Sequence, residues 1–424
     1  MKQETVEATY LIETPLEPEK IAAIMAGEQS SGTFVKVAGE TDELRARAAA
    51  DVLSVEELES AAAPSLASAY LERKKAPGPW RRAKVRIAYP VVNIGANLPT
   101  LAATVAGNLY DLGEVTGLRL LDVSLGQSYR DRFDKPRLGI AGTRDYVGVH
   151  DRPLFGTIIK PNVGMRAHEI ADLVELLCDA GVDFIKDDEI CADPDHAPLA
   201  ERVPAVMARI RAHRERAGRD VMMAFNITDE TDAMRRHAEL VEREGGSCVM
   251  ASLNWCGLSA MQSLRRATPL AVHGHRNGFG AFSRHPLLGI GFDAYQTLYR
   301  LAGVDHMHVH GIGGKFSDQA EEVAAAARRC LRPLADDASD SSDVVMPAFS
   351  SGQSAGTLPA TAMATGSSDF LFMAGGGILA HPDGPAAGVR SLRQAWQAVV
   401  QGLSLEAAAG SRSALAAALR FFGS

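Results

Sequence analysis

From about residue 150 onward the chain repeats one pattern: a short apolar or β-branched run, then a longer segment of helical period. Eight such runs occur: LFGTIIK (154–160), VDFIK (182–186), VMMAFNI (221–227), CVMASL (248–253), PLAVHGHR (269–276), HMHVHG (306–311), DVVMPAFS (343–350) and DFLFMAGG (369–376). Short β-branched or apolar runs alternating with longer helical segments are how a chain of βα units reads. Between them lie amphipathic or Ala-rich segments such as MRAHEIADLVELLCDAG, TDAMRRHAELVEREGG and SDQAEEVAAAARRCL, several ending at Gly. Eight strand-helix pairs over about 270 residues predict a closed (β/α)8 TIM barrel.

The first part of the chain has a different rhythm. An alternating TVEATYLIE, a helix over 17–27, SGTFVKV, KVRIAYP and a helical NLPTLAATVAGNL predict a smaller α+β, ferredoxin-like domain on an antiparallel sheet. We therefore expect an N-terminal domain over 1–135 and a barrel domain over 136–424, the Ala- and Leu-rich stretch after 385 forming a helical extension. The charged, Pro- and Gly-bearing ERKKAPGPWRRA (72–83) reads as a surface loop.

At 424 residues there is ample material for two cores. Lys and Arg are scattered and the net charge is −8, which argues against nucleic acid as a partner. The five cysteines form no C-x-x-C pair, so neither a disulfide framework nor a zinc ribbon is expected. Residues 1–20 do not resemble a signal peptide and no run of 18 apolar residues occurs. A soluble, cytoplasmic protein with a small-molecule ligand and no membrane partner is the expectation.

Barrel active sites lie at the C-terminal strand ends, and here those ends are polar. Strand 1 ends at Lys160, strand 2 at Lys186-Asp187-Asp188-Glu189, strand 5 at His275-Arg276, strand 6 at His308-Val309-His310 and strand 7 at Ser350-Ser351-Gly352. Adjacent carboxylates need a compensating cation, and hard oxygens suit Mg2+, so Asp188 and Glu189 are candidate metal ligands; they could equally cap the next helix. Lys160 would share a pocket with Arg276 and Lys315, whose charges would tune it for proton transfer, or it is a surface charge. Gly375, Gly376 and Gly377 after strand 8 could cradle a phosphate or simply make a tight turn. His306, His308 and His310 alternate on one face, which also admits a zinc hydrolase. His213 and His237 read as solvated helix residues.

GTIIKPNVGM (156–165) and GVDFIKDDEI (181–190) resemble the RuBisCO large chain and its RuBisCO-like relatives. The likeness continues through AGEQSSGTF (26–34), AGNLYDL (106–112), HGHR (273–276), DHMHVHGIGGKF (305–316), MPAFSSGQ (346–353) and FMAGGGILAHPDGP (372–385), so it spans nearly the whole chain. The resemblance implies that CO2 carbamylates Lys186, which then binds Mg2+ with Asp188 and Glu189. It implies that Lys160 takes part in proton transfer, that Lys315 rides a mobile loop over the substrate, and that His275 bonds substrate hydroxyls. Arg276 and His308 match one phosphate site; Thr33, Gly352, Gly375 and Gly376 match the other and its surroundings, and Ser350 is a further candidate for binding substrate or phosphate. Glu28 and Asn108 match residues donated by a second subunit, which implies a head-to-tail homodimer.

Departures from the carboxylase pattern are equally informative. Asn162 stands where carboxylating members have a second Lys, Phe34 where a Trp is expected and Phe279 where a His is expected. Val309 and Gly311 replace a Ser and a Thr of loop 6, and Ser350-Ser351-Gly352 replaces a glycine pair. The residues for forming an enediolate largely remain, and a divalent metal stabilises such an anion. The resemblance thus points to a Mg2+-dependent RuBisCO-like enzyme, with a lean toward decarboxylation of a 3-oxo sugar-acid phosphate. The alternatives are an enolase or isomerase of a methylthioribulose-type phosphate, an authentic carboxylase, and a non-catalytic sugar-phosphate sensor.

Overall fold

The structure is a computed structural model that describes residues 3–32, 39–335, 337 and 342–423. Residues 33–38, with Thr33 and Phe34, lie outside the described residues.

Chain compactness divides the protein into two units, one formed by 1–134, 278–302 and 333–341 and the other by 135–277, 303–332 and 342–424. In the first, strands Thr5–Thr14, Asp51–Ala61, Trp80–Pro90 and Gly117–Leu125 run antiparallel with their neighbours, Thr5–Thr14 lying between the last two. With helices Pro18–Glu28 and Leu98–Ala106 this is the expected βαββαβ arrangement. Alternation along Thr5–Thr14 buries Val6, Ala8, Tyr10 and Ile12, which is why this strand announces itself in sequence.

Three features differ from expectation. Asp51–Ala61 is exposed on nearly every residue, so it carries no apolar alternation to detect. Trp80–Ala83, read as loop, opens the third strand, while the preceding segment contains a short helix, Ala69–Arg73. A fifth strand, Leu288–Ile290, pairs parallel with Gly117–Leu125 and makes the sheet mixed. That strand and helix Phe292–Leu301 come from the stretch between barrel strands 5 and 6, yet they pack with the first unit. Phe279, at the start of this insertion, stacks on Tyr295 at 4.4 Å and Phe292 at 5.7 Å, so an aromatic cluster occupies the position where a His was expected.

The second unit is the barrel. Its parallel strands are Leu154–Ile158, Phe184–Lys186, Met222–Asn226, Cys248–Ser252, Ala271–His275, His306–His308, Met346–Phe349 and Leu371–Met373, and pairing of the sixth with the fifth closes the ring. Leu154, Phe184, Met222, Met250, Met346, Leu371 and Met373 belong to the apolar cluster of this unit. Helices Pro385–Gln401, Leu405–Ala409 and Ser413–Phe422 form the C-terminal extension. Among the described residues no helix is long and apolar enough to cross a membrane.

Candidate active site

The second barrel strand ends in Lys186, and the three carboxylates after it have different fates. Asp187 turns inward: its Oδ2 accepts from the Asn226 N–H at 3.0 Å and from Arg202 Nη2 at 3.3 Å. Burial pushes its carboxyl pKa up against the pull of Arg202. Asp187 is therefore a structural group, leaving Asp188 and Glu189 as the open carboxylates.

Asp188 is also buried, and its Oδ2 meets Lys160 Nζ at 2.7 Å. The same ammonium donates to Asn162 Oδ1 at 2.7 Å. The Lys160 ammonium is thus held by a carboxylate and an amide. This gives the Asn162 departure a local role, since an amide here accepts from Lys160 where a second Lys would repel it.

Lys186 is the buried amine of the group. Its Nζ donates to the Asp187 carbonyl at 3.0 Å and lies 3.7 Å from Glu189 Oε2. Burial drives its pKa down, opposed by Glu189 and Asp188 and assisted by Lys160. Glu189 is tuned the other way: burial raises its pKa, but Lys186, then Lys160, hold it net below the ordinary carboxylate range. His275 completes this corner. Its Nδ1 accepts from the Asn277 N–H at 3.2 Å, so the neutral ring carries its proton on Nε2, 3.7 Å from Glu189 Oε2. Burial, then the charge of Lys186, keep that ring neutral.

No group of three His, Cys, Asp or Glu side chains poised for a metal occurs among the described residues. Two hard carboxylates beside a buried lysine still fit Mg2+ on one condition. A neutral Lys186 amine that captures CO2 would become the third anionic oxygen ligand. Zinc on the H-x-H strand does not fit, because His306 and His308 spend their ring nitrogens on other protein groups: His306 on Thr143 and His273, His308 on His273 and Ser350.

Next to this corner the His275 and His308 rings meet at 4.2 Å, and the residues after the fifth and sixth strands come together. Arg276 is buried, with Asp318 Oδ2 3.6 Å from its Nη2. The same Asp318 oxygen bonds His310 Nδ1, and His310 stacks on Phe316 at 4.5 Å. Lys315 is exposed, and its backbone N–H donates to Ser351 Oγ at 3.3 Å. Asp318 escaped the sequence reading because an Asp before a helix looks like an ordinary cap.

Loop departures have a steric cause. A Cβ on Gly311 would lie 2.0 Å from Gln353 Nε2 and 2.6 Å from the Ser350 carbonyl, so a Thr cannot enter while Gln353 is there. Ser351 and Gly352 both have positive φ, 77° and 67°. Ser351 thus adopts a backbone that favours glycine, at a cost of about 1 kcal/mol, and in return its hydroxyl holds the loop at Lys315. The glycines after strand 8 also separate. A Cβ on Gly377 would meet the Gln353 carbonyl at 2.5 Å, whereas one on Gly376 meets nothing within 4 Å. Gly375 and Gly376 open the helix Gly375–Leu379, whose first N–H groups have no partner within the helix.

His308 is buried, with Nε2 2.7 Å from His273 Nε2 and Nδ1 3.1 Å from Ser350 Oγ. In the first unit, Asn108 Nδ2 donates to Glu28 Oε1 at 3.5 Å, and both side chains are exposed. His213, expected on a solvated face, is instead buried and bonded through Nδ1 to Asp179 Oδ1 at 2.9 Å.

Comparison with known proteins decides the family. The sequence model for the ribulose bisphosphate carboxylase large chain catalytic domain matches residues 139–422, and that for its N-terminal domain matches 2–129. The chain belongs to the RuBisCO large-chain family. Within it, this RuBisCO-like protein is 46% identical over 419 residues to a 3-oxo-isoapionate-4-phosphate transcarboxylase/hydrolase of Xanthobacter autotrophicus, covering 99% of each chain. It is 42% identical over 420 residues to a 3-oxo-isoapionate-4-phosphate decarboxylase of Rhizobium etli, covering 98% of each. A crystal structure of a RuBisCO-like protein from Burkholderia fungorum superposes with TM-score 0.93 at 63% identity, covering 99% of this chain and all of the other.

Proposed function

We propose that this RuBisCO-like protein is a Mg2+-dependent lyase that decarboxylates a phosphorylated 3-oxo sugar acid, 3-oxo-isoapionate 4-phosphate being the first candidate. The observation that carries the reading is the buried Lys186 amine, 3.7 Å from Glu189 Oε2 and acted on by the charge of Asp188, backed by full-length likeness to relatives named for that substrate.

Loss of CO2 from a 3-oxo acid breaks the bond between the carboxyl carbon and C2. The electron pair moves toward the 3-oxo oxygen, and a proton later adds at C2 to give the ketone. A neutral Lys186 attacks CO2 and releases a proton, giving a carbamate that with Asp188 and Glu189 would hold Mg2+. When bound, Mg2+ would supply positive charge to stabilise the developing oxyanion.

Lys160, held at 2.7 Å by Asp188 and partly exposed, is positioned to return the proton to C2. His275, with its proton on Nε2, donates to a substrate oxygen. Arg276 takes the phosphate after displacing Asp318, and Ser350, bonded to His308, faces the substrate. Gly352, Gly375 and Gly376 offer backbone N–H groups at the other anion position, where Thr33 is expected to join them. Lys315 closes with its loop. Glu28 and Asn108 are contributed by the second subunit of a homodimer.

Transcarboxylation followed by hydrolysis is the second reading, favoured by the name of the Xanthobacter relative. Carboxyl-labelled 13C substrate, supplied with Mg2+ and bicarbonate, separates the two. Label released as CO2 marks the decarboxylase, and label in a new carboxylate marks the transcarboxylase. An untouched substrate, alongside isomerisation of a methylthioribulose phosphate, would overturn both.

A further inference from the structure

Three histidines run through the barrel interior in one hydrogen-bonded line. His306 and His273 are register partners on the sixth and fifth strands, and His308 follows two residues later on the same face as His306. The line begins at Thr143, on helix Gly139–Val147, whose Oγ1 lies 2.8 Å from His306 Nε2. His306 Nδ1 lies 3.3 Å from His273 Nδ1, His273 Nε2 lies 2.7 Å from His308 Nε2, and His308 Nδ1 lies 3.1 Å from Ser350 Oγ. All three rings are buried, and Phe184 packs against His273 and His306.

One bond outside the line fixes its direction. Thr143 Oγ1 also lies 2.5 Å from the Gly139 carbonyl, a separation two oxygens hold only with a proton between them. The threonine proton is therefore used, and Thr143 can only accept from His306 Nε2. Burial keeps the rings neutral, so each carries one proton. His306 Nδ1 must then accept from His273 Nδ1, His273 Nε2 from His308 Nε2, and His308 Nδ1 from the Ser350 hydroxyl.

We propose that Thr143, His306 and His273 are positioning residues that set the tautomer of His308 and turn the Ser350 hydroxyl proton away from the substrate. Ser350 then meets the substrate only as an acceptor, which favours a substrate hydroxyl over an anionic oxygen. His308 has no proton free for a phosphate in this state. Reversing the whole line would be required before it could donate one.

The proposal rests on the reading above only in that Ser350 faces substrate, and its first test needs no substrate. 15N spectra of ring-labelled histidines, assigned by single substitutions, should show protons on Nε2 of His306, Nδ1 of His273 and Nε2 of His308. Thr143→Val removes the acceptor that sets the direction and should move the His308 proton toward Nδ1, while Thr143→Ser should restore the original pattern. With a substrate in hand, Thr143→Val should raise KM about 3- to 10-fold and change kcat less than about twofold. A proton on His308 Nδ1 in the unaltered protein would overturn the proposal, as would an imidazolium in the line. Identical tautomers in a folded Thr143→Val protein would do the same. Should that variant fail to fold, the spectrum of the unaltered protein still decides.

Discussion

Lys160 Nζ stands 2.7 Å from Asp188 Oδ2, so a partly exposed ammonium neutralises the buried carboxylate most directly offered for metal binding. Both partners belong to the proposed chemistry. Lys160→Met and Asp188→Asn should each lower turnover by about 100-fold or more while the melting temperature stays within a few degrees. Activity and thermal unfolding measured on the same samples check this. A large loss of stability with either would make the pair structural.

Asp187 provides the contrast. Its carboxylate faces the fully buried Arg202, and truncation leaves that guanidinium without its counter-ion. Asp187→Ala should cost about 3 kcal/mol or more in denaturant unfolding. Unchanged stability would mean that the carbonyls around Arg202 suffice.

The buried histidine line makes stability acid-sensitive. Burial pushes His306 down to about 4 from an ordinary 6.5, and His273 and His308 are depressed in the same direction. Between those two values the unfolded chain binds protons that the folded protein refuses, so stability is complete above pH about 6.5 and falls as pH drops toward 4. His306 alone accounts for a loss of about 3 kcal/mol across that window. Urea midpoints should drop between about pH 7 and pH 5, and His306→Gln should flatten the slope. Midpoints that rise on acidification would reverse the sign assigned here.

Asp318 competes with any phosphate for Arg276, since it is an anion already within 3.6 Å. Asp318→Asn should tighten inhibition by inorganic phosphate about 2- to 10-fold. An inhibition constant that does not move would place the phosphate elsewhere.

The proposed homodimer, with Glu28 completing the partner's site, predicts complementation. Lys186→Ala and Glu28→Gln homodimers should each be inactive, and subunit exchange between them should regain about a quarter of native activity, because only hybrid dimers keep one site with neither defect. No recovery after proven exchange would mean that Glu28 acts within its own chain or not at all.

Much of this was legible in the sequence, and the reasons are physical. Barrel strands buried on both faces leave uninterrupted apolar runs such as VMMAFNI, and the KDDE run marks a strand end by its charge density. Asp51–Ala61 was illegible because an exposed edge strand carries no hydrophobic period. The division of labour between Asp187 and Asp188 was illegible too, because it depends on Arg202, fifteen residues along a different element. Gln353 excluding a side chain at Gly311 is likewise a contact across two loops.

Strand Leu288–Ile290 belongs to the smaller unit although its sequence lies between two barrel strands. The smaller unit borrows its last strand from inside the barrel's own sequence, so no single cut of the chain releases either unit whole. A gene encoding only the first 134 residues would leave one sheet edge bare, and one encoding only the remainder would carry a strand with nothing to pair with. Neither unit can therefore be expressed intact as one continuous segment of the chain.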